Sequence, residues 1–133
     1  MLIYVASDIQ VTVVESPSAF QECIFLLLKG RGTKFYQNQL IVGNIYRGPS
    51  SKQDNDNELF KLLSDIQLKY NIPKLIVGDF NFSNIKWYDT DGSGVSAGCS
   101  NLSDNELKFV SALHENLLFQ HVVPPTRQRD FAK

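Results

Sequence analysis

A chain of 133 residues is long enough for one domain with its own core, since domains cluster near roughly 100 to 150 residues. Hydrophobic side chains make up 43% and charged ones 20%, a balance that excludes a disordered chain. The net charge of -1 provides no global field for a polyanion, so a nucleic acid would have to be held by a local patch.

In chain order, Leu2 to Ala6 (LIYVA) and Gln10 to Glu15 (QVTVVE) are short β-rich runs, read as a hairpin or a bent strand pair. Ser16, Pro17 and Ser18 break the pattern, and Glu22 to Lys29 resumes it as an apolar strand. That strand is expected to end in a turn at Gly30-Arg31-Gly32, where glycine supplies backbone freedom. Leu40 to Arg47 is the next strand, closed by Gly48, Pro49 and two serines. Asn55 followed by Glu58 resembles a capping box, and Leu59, Leu62, Leu63, Ile66 and Tyr70 recur at helical spacing. Asn71 to Pro73 stop this helix.

Lys74 to Asp79 reads as a strand, and LIVGDFN (Leu75 to Asn81) as its continuation. Its apolar residues do not alternate with polar ones, which predicts cover on both faces. The polar stretch Ser83 to Asn101 reads as a surface loop. Ser103 and Glu106 form a second capping box, with Leu107, Val110, Leu113 and Leu117 as the buried stripe of its helix. Phe119 to Val123 is expected as a last strand before Pro124-Pro125. The resulting order, β-β-β-β-α-β-loop-α-β, is a mixed α/β (α+β) pattern with helices covering sheet faces.

No apolar run approaches the roughly 20 residues that a membrane span needs. Cys23 and Cys99 are far apart and lack any CxxC or Cys/His spacing, so neither a disulfide framework nor a zinc site is expected. A reduced, intracellular setting fits. Met1 is followed at once by strand-like residues with no basic n-region or cleavage site, so no signal peptide is expected and the chain reads as beginning in mid-domain.

In an extended strand, Asp79 and Asn81 would share a face while Phe80 points the other way. Gly78 beside them permits close backbone or ligand approach. A strand's carboxyl end is where open α/β sheets place ligands. An Asp there can orient and deprotonate a water, while an Asn amide can donate to a phosphate oxygen as charge builds. The same residue types also end strands as Asx-turns, so GDFN alone reads either way. Tyr46 and Arg47 close a second strand: a phenol can hydrogen-bond a phosphate and a guanidinium can bind it bidentately. Alone, these two read more simply as half-buried packing and a solvated edge charge.

IVGNIYRGPSS at 41 to 51, LIVGDFNFSNIKW at 75 to 87 and ENLLFQHVVPPTR at 115 to 127 resemble, in order and spacing, landmarks of the endonuclease/exonuclease/phosphatase superfamily. The nearest likeness is the apurinic-type endonuclease domain of non-LTR retrotransposons of the jockey and CR1 kind. The resemblance implies a four-layered α/β sandwich with two β-sheets inside and helices outside, and magnesium-dependent nicking of DNA. It further implies a nick that primes reverse transcription, a reverse transcriptase domain in the same polyprotein, and a nuclear site of action. By motif match, Asp79 would orient or deprotonate the nucleophilic water, Asn81 would contact the scissile phosphate, Tyr46 would position it, and Arg47 would bind the backbone.

The family's metal-binding Asn and Glu, and its Ser-Asp-His motif with the catalytic His, have no counterpart in these 133 residues. Glu15 and Glu22 lie in the wrong place to replace the acid, and His114 and His121 read as packing or surface residues. No metal ligand is assigned in this chain. The expectation is a fragment truncated at both ends and inactive alone, because Mg2+ wants an octahedral oxygen shell anchored by several placed ligands. Two other readings are a non-catalytic binding remnant and a calcium loop starting at Asp89-Thr-Asp91-Gly-Ser93. The calcium pattern already fails at Ser100, where a bidentate Glu belongs.

Overall fold

The computed structural model describes residues 1–30, 38–90 and 95–123. They form a mixed α+β protein with two sheets and two helices, divided into units at 1–81 and 82–133. No described helix is long and apolar enough to cross a membrane.

In the first unit, β1 (Gln10–Val14), β2 (Cys23–Lys29), β3 (Gln39–Tyr46) and β4 (Lys74–Asp79) form one sheet in chain order. β1, β2 and β3 are antiparallel neighbours. β4 lies parallel to β3, which requires a crossover, and α1 (Gln53–Lys69) supplies it. The register puts Val14, Phe25, Gly43 and Ile76 in one row, with Ile41 and Ile45 on the same sheet face. Val14, Phe25, Ile41 and Ile45 are buried together with Leu59, Leu62, Leu63 and Ile66 of α1. Burying each such aliphatic side chain stabilises by about 2 kcal/mol, so the helix stripe and this sheet face make the unit's core. Gly43 belongs to that core for lack of a side chain, since a Cβ there would strike the Phe25 ring.

The opposite face is apolar and partly open. Val11, Val13, Leu75 and Val77 share it by register, and each is at least 41% exposed. This corrects the expectation that β4 is covered on both faces. β4 is an edge strand with α1 over one side only, and an apolar run says nothing about which segment covers its second face.

α1 starts three residues earlier than its sequence signal. The N-cap is Lys52, whose side chain makes no capping bond, so the expected capping box at Asn55 and Glu58 is absent. Other partners took those side chains. Asn55 Nδ2 donates to Ser51 Oγ at 3.0 Å, and Glu58 Oε2 accepts the Ala19 N–H at 3.0 Å. At the far end the Lys74 ammonium donates to the carbonyls of Tyr70 and Ile72, and burial holds its pKa below the usual lysine range.

In the second unit, β5 (Lys86–Asp89) and β6 (Val95–Gly98) pair as an antiparallel hairpin within the stretch expected to be a loop. Trp87 faces Ala97 across the pair, and the Tyr88 ring occupies the space that a Cβ on Gly98 would need. The hairpin also corrects the calcium reading. An EF-hand needs a helix before its loop, whereas Asp89 ends a strand and residues 95–98 form another. Residues 91–94 lie outside the described residues.

α2 (Asp104–Glu115) begins at the expected capping box. Ser103 Oγ accepts the Glu106 N–H, and Glu106 Oε2 accepts the Ser103 N–H at 2.8 Å. Its buried residues are Glu106, Phe109, Val110 and Ala112, so the stripe is rotated from the expected one and Leu107 faces out. Phe109 turns the helix, because its ring stacks on Phe82 with centroids 4.5 Å apart. Leu117 left the stripe for another reason. Its φ is 54°, and Leu117 N–H donates to the His114 carbonyl while Leu118 N–H donates to that of Leu113, the Schellman pattern that ends a helix.

Burial pushes the Glu106 carboxyl up, but hydrogen bonds from Ser103 and Asn84 outweigh it and hold its pKa below the ordinary 4.5. A carboxylate depressed in the folded state adds stability above its unfolded pKa, and that stability is lost as pH falls through the folded value. The protection factors of the α2 amides, which are exchange rates corrected for their intrinsic pH dependence, are therefore expected to fall on acidification below 4.5. Glu106→Gln, which keeps the capping geometry, should flatten that dependence; an unchanged pH profile would refute the assignment.

Two expected strands do not form. Residues 2–6 and 119–123 carry no strand pairing, and Leu2, Tyr4, Phe119 and Val122 are half or more exposed. β-propensity alone does not make a strand, which needs an edge to pair with. Of the expected GRG turn, Arg31 and Gly32 lie outside the described residues, as do Pro124 and Pro125.

Candidate functional site

The parallel register aligns Ile45 with Gly78 and Tyr46 with Asp79. Register partners project to the same face, so two side chains from motifs more than thirty positions apart become neighbours at the carboxyl ends of adjacent parallel strands. The close approach depends on Gly78, where a Cβ would collide with the Ile45 carbonyl. Tyr46 is 42% exposed and Asp79 is half-buried, which places the phenol and the carboxylate where solvent and ligand can reach them.

Beyond Asp79 the chain leaves the strand. Asn81 has φ 50°, a left-handed conformation that Asn tolerates better than most residues. The expectation that strand alternation sets Asp79 and Asn81 on one face is corrected here, because the extended backbone stops before Asn81. A turn brings the two together instead: Asp79 Oδ1 accepts the Asn81 N–H at 3.2 Å. The Asx-turn and the site are one feature. Asn81 Nδ2 donates to the Arg47 carbonyl at 2.7 Å, and an amide nitrogen carries a second donor.

Arg47 is buried, with 6% of its surface exposed. Its Nε and Nη2 form a fork on the Asp56 carboxylate at 2.6 and 2.8 Å. Its Nη1 donates to the carbonyls of Phe80 and Asn81 at 3.3 and 3.2 Å, and its backbone N–H to that of Asp79 at 2.9 Å. The expected phosphate-binding role of Arg47 is corrected on this geometry. A guanidinium committed to a carboxylate and two carbonyls inside the protein presents no fork to a phosphate.

Asp56 and Ser51 were not singled out by sequence. Asp56 is fully buried, and its Oδ1 also accepts the Ser51 hydroxyl at 2.6 Å. A signal for it exists in the chain: Asp56 precedes Leu59 by one helical turn, so it continues the apolar stripe of α1. A carboxylate on the buried face of a helix needs a cation, and Arg47 is that cation.

The donor set offers little to a divalent metal. Asp79 supplies a carboxylate at the corner, and no three of His, Cys, Asp and Glu come together among the described residues. Mg2+, which the resemblance implies, does not fit this set alone. Glu15, Glu22, His114 and His121 are all exposed.

Comparison of the chain with protein-family models, with curated proteins and with solved structures finds no match. The resemblance to the endonuclease/exonuclease/phosphatase superfamily rests on the residues themselves.

Proposed function

We propose that the corner formed by Tyr46, Asp79 and Asn81 is the phosphate-contacting part of a DNA phosphodiesterase of the endonuclease/exonuclease/phosphatase kind, a nicking domain of the non-LTR retrotransposon type. The observation that carries this reading is the register of Tyr46 with Asp79 at the carboxyl ends of β3 and β4, with Asn81 turned back beside them. The open apolar face carrying Val11, Val13, Leu75 and Val77 would suit the second sheet of a four-layered sandwich.

In this role the Tyr46 hydroxyl donates to a phosphate oxygen, and the second N–H of the Asn81 amide donates to another. The Asp79 carboxylate accepts a proton from a water directed at phosphorus. One placed carboxylate falls short of the several oxygen ligands that Mg2+ wants, so in this reading the 133 residues bind the DNA backbone without cutting it. Nicking, magnesium and partnership with a reverse transcriptase belong to an assembly that supplies further ligands.

Two measurements test this. A short fluorescein-labelled DNA duplex at low salt is expected to bind weakly, and Tyr46→Phe or Asn81→Gly to weaken binding by roughly tenfold, the size of one hydrogen bond to a charged group. Glycine is chosen at 81 because it keeps the left-handed backbone. Supercoiled plasmid with magnesium should remain intact. Unchanged affinity in both variants would overturn the corner as the contact site. Nicking that vanishes in Asp79→Ala would instead show that the present ligands suffice for catalysis.

A further inference from the structure

We infer that Arg47, locked by Asp56 and Ser51, is the positioning residue of the phosphate corner: it touches no substrate and sets where the Asn81 amide points. The inference rests on the phosphate reading of Tyr46, Asp79 and Asn81 and adds residues that reading does not contain.

The argument begins with the end of β4. β4 ends at Asp79, and the direction of the turn that follows is set by what the carbonyls of Phe80 and Asn81 meet. Arg47 Nη1 reaches both, at 3.3 and 3.2 Å. The Arg47 carbonyl receives the Asn81 side chain at 2.7 Å, and the Arg47 N–H bonds to Asp79. One residue therefore grips three successive residues of the turn, from its backbone and its side chain at once. The result is a left-handed Asn81 with one amide hydrogen committed inward, so the direction of the other is fixed.

Asp56 governs this grip. A guanidinium is planar, and two bonds to one carboxylate fix both the plane and the direction of the remaining nitrogen. The Ser51 hydroxyl on Oδ1 and Asn55 on Ser51 in turn hold the carboxylate against the start of α1. The chain runs from α1 to Asp56, to Arg47, to the carbonyls at 80 and 81, and ends at the amide of Asn81. Lysine at 47 keeps the charge but has no fork, so it cannot replace arginine here.

The test combines a double-mutant cycle in DNA affinity with amide spectra of the full chain. Asp56→Asn keeps the shape of the side chain and removes its charge; Ser51→Ala is a milder change at a half-buried position that leaves the ion pair in place. Asp56→Asn and Arg47→Lys are each expected to weaken duplex binding by about tenfold and Ser51→Ala by a few fold, whereas Asp56→Asn adds no further loss in an Asn81→Gly background. The amide resonances of Asp79, Phe80 and Asn81 should shift in all three variants, while those of β1 and β2 stay in place. Full rescue by Arg47→Lys, or losses that add in the double variant, would overturn the inference. Unmoved resonances at 79 to 81 in Ser51→Ala and Asp56→Asn would overturn it independently of DNA. If the unsubstituted chain fails to bind the duplex, the phosphate reading falls. The amide shifts then still decide whether Arg47 sets the turn.

Discussion

Gly78→Ala is expected to destabilise the protein by about 3 kcal/mol or more, a large share of what a small domain has. A methyl group at 78 meets the carbonyl oxygen of Ile45, with the Ile45 carbonyl carbon 2.9 Å and nitrogen 3.1 Å away. These are backbone atoms of the neighbouring strand, so no side chain can swing aside. Relief requires β4 to move off β3, which breaks the register that aligns Tyr46 with Asp79. The variant should therefore lose stability and DNA binding together. Urea unfolding checks the first: a midpoint within error of the unsubstituted protein would mean that β4 does not approach β3 so closely. Gly43→Ala is the informative neighbour. There the obstacle is the Phe25 ring, a side chain that can shift at the cost of core packing, so a smaller loss is expected.

The elements that could be read from the chain alone are those whose signal is local. β2, β3 and the Leu59-Leu62-Leu63-Ile66 stripe of α1 stand where the pattern of apolar residues puts them. The Ser103–Glu106 capping box involves groups three residues apart, and it forms as expected. The failures turn on what a segment meets once the chain has folded. Asn55 and Glu58 resemble a cap, yet Glu58 is drawn to Ala19, 39 positions away. LIYVA and FQHVV have strand composition yet pair with no described strand, while KWYD pairs with VSAG because Trp87 and Tyr88 find small residues opposite.

The candidate site divides in the same way. Tyr46, Asp79 and Asn81 could be named because their chemistry and their motifs sit in the sequence itself. Their mutual placement depends on a parallel register that the residues do not announce, and on Gly78, whose lack of a side chain was legible as room for a close approach. Arg47 was misread for a related reason. An arginine after a strand looks like a solvated charge until a buried carboxylate is found for it, and that carboxylate stands nine positions away on a helix.

Removing either member of that pair is the second large effect. Asp56→Ala leaves a guanidinium buried with no counter-charge, and Arg47→Ala leaves a fully buried carboxylate in the same position; each is expected to cost about 3 to 5 kcal/mol. An exposed bridge would cost no more than about 1 kcal/mol, so the measurement separates the two cases. Replacing both by apolar residues, as in Arg47→Met with Asp56→Leu, should recover more than half of the loss, because no uncompensated charge remains and the volume is kept. What the apolar pair cannot restore is a donor for the Phe80 and Asn81 carbonyls. Stability and geometry therefore part company in this variant: its urea midpoint approaches that of the unsubstituted chain while the Asn81 amide resonance stays displaced and duplex affinity stays low. A variant that regained stability and binding together would mean that the ion pair serves the fold alone, and that Asn81 finds its left-handed place unaided.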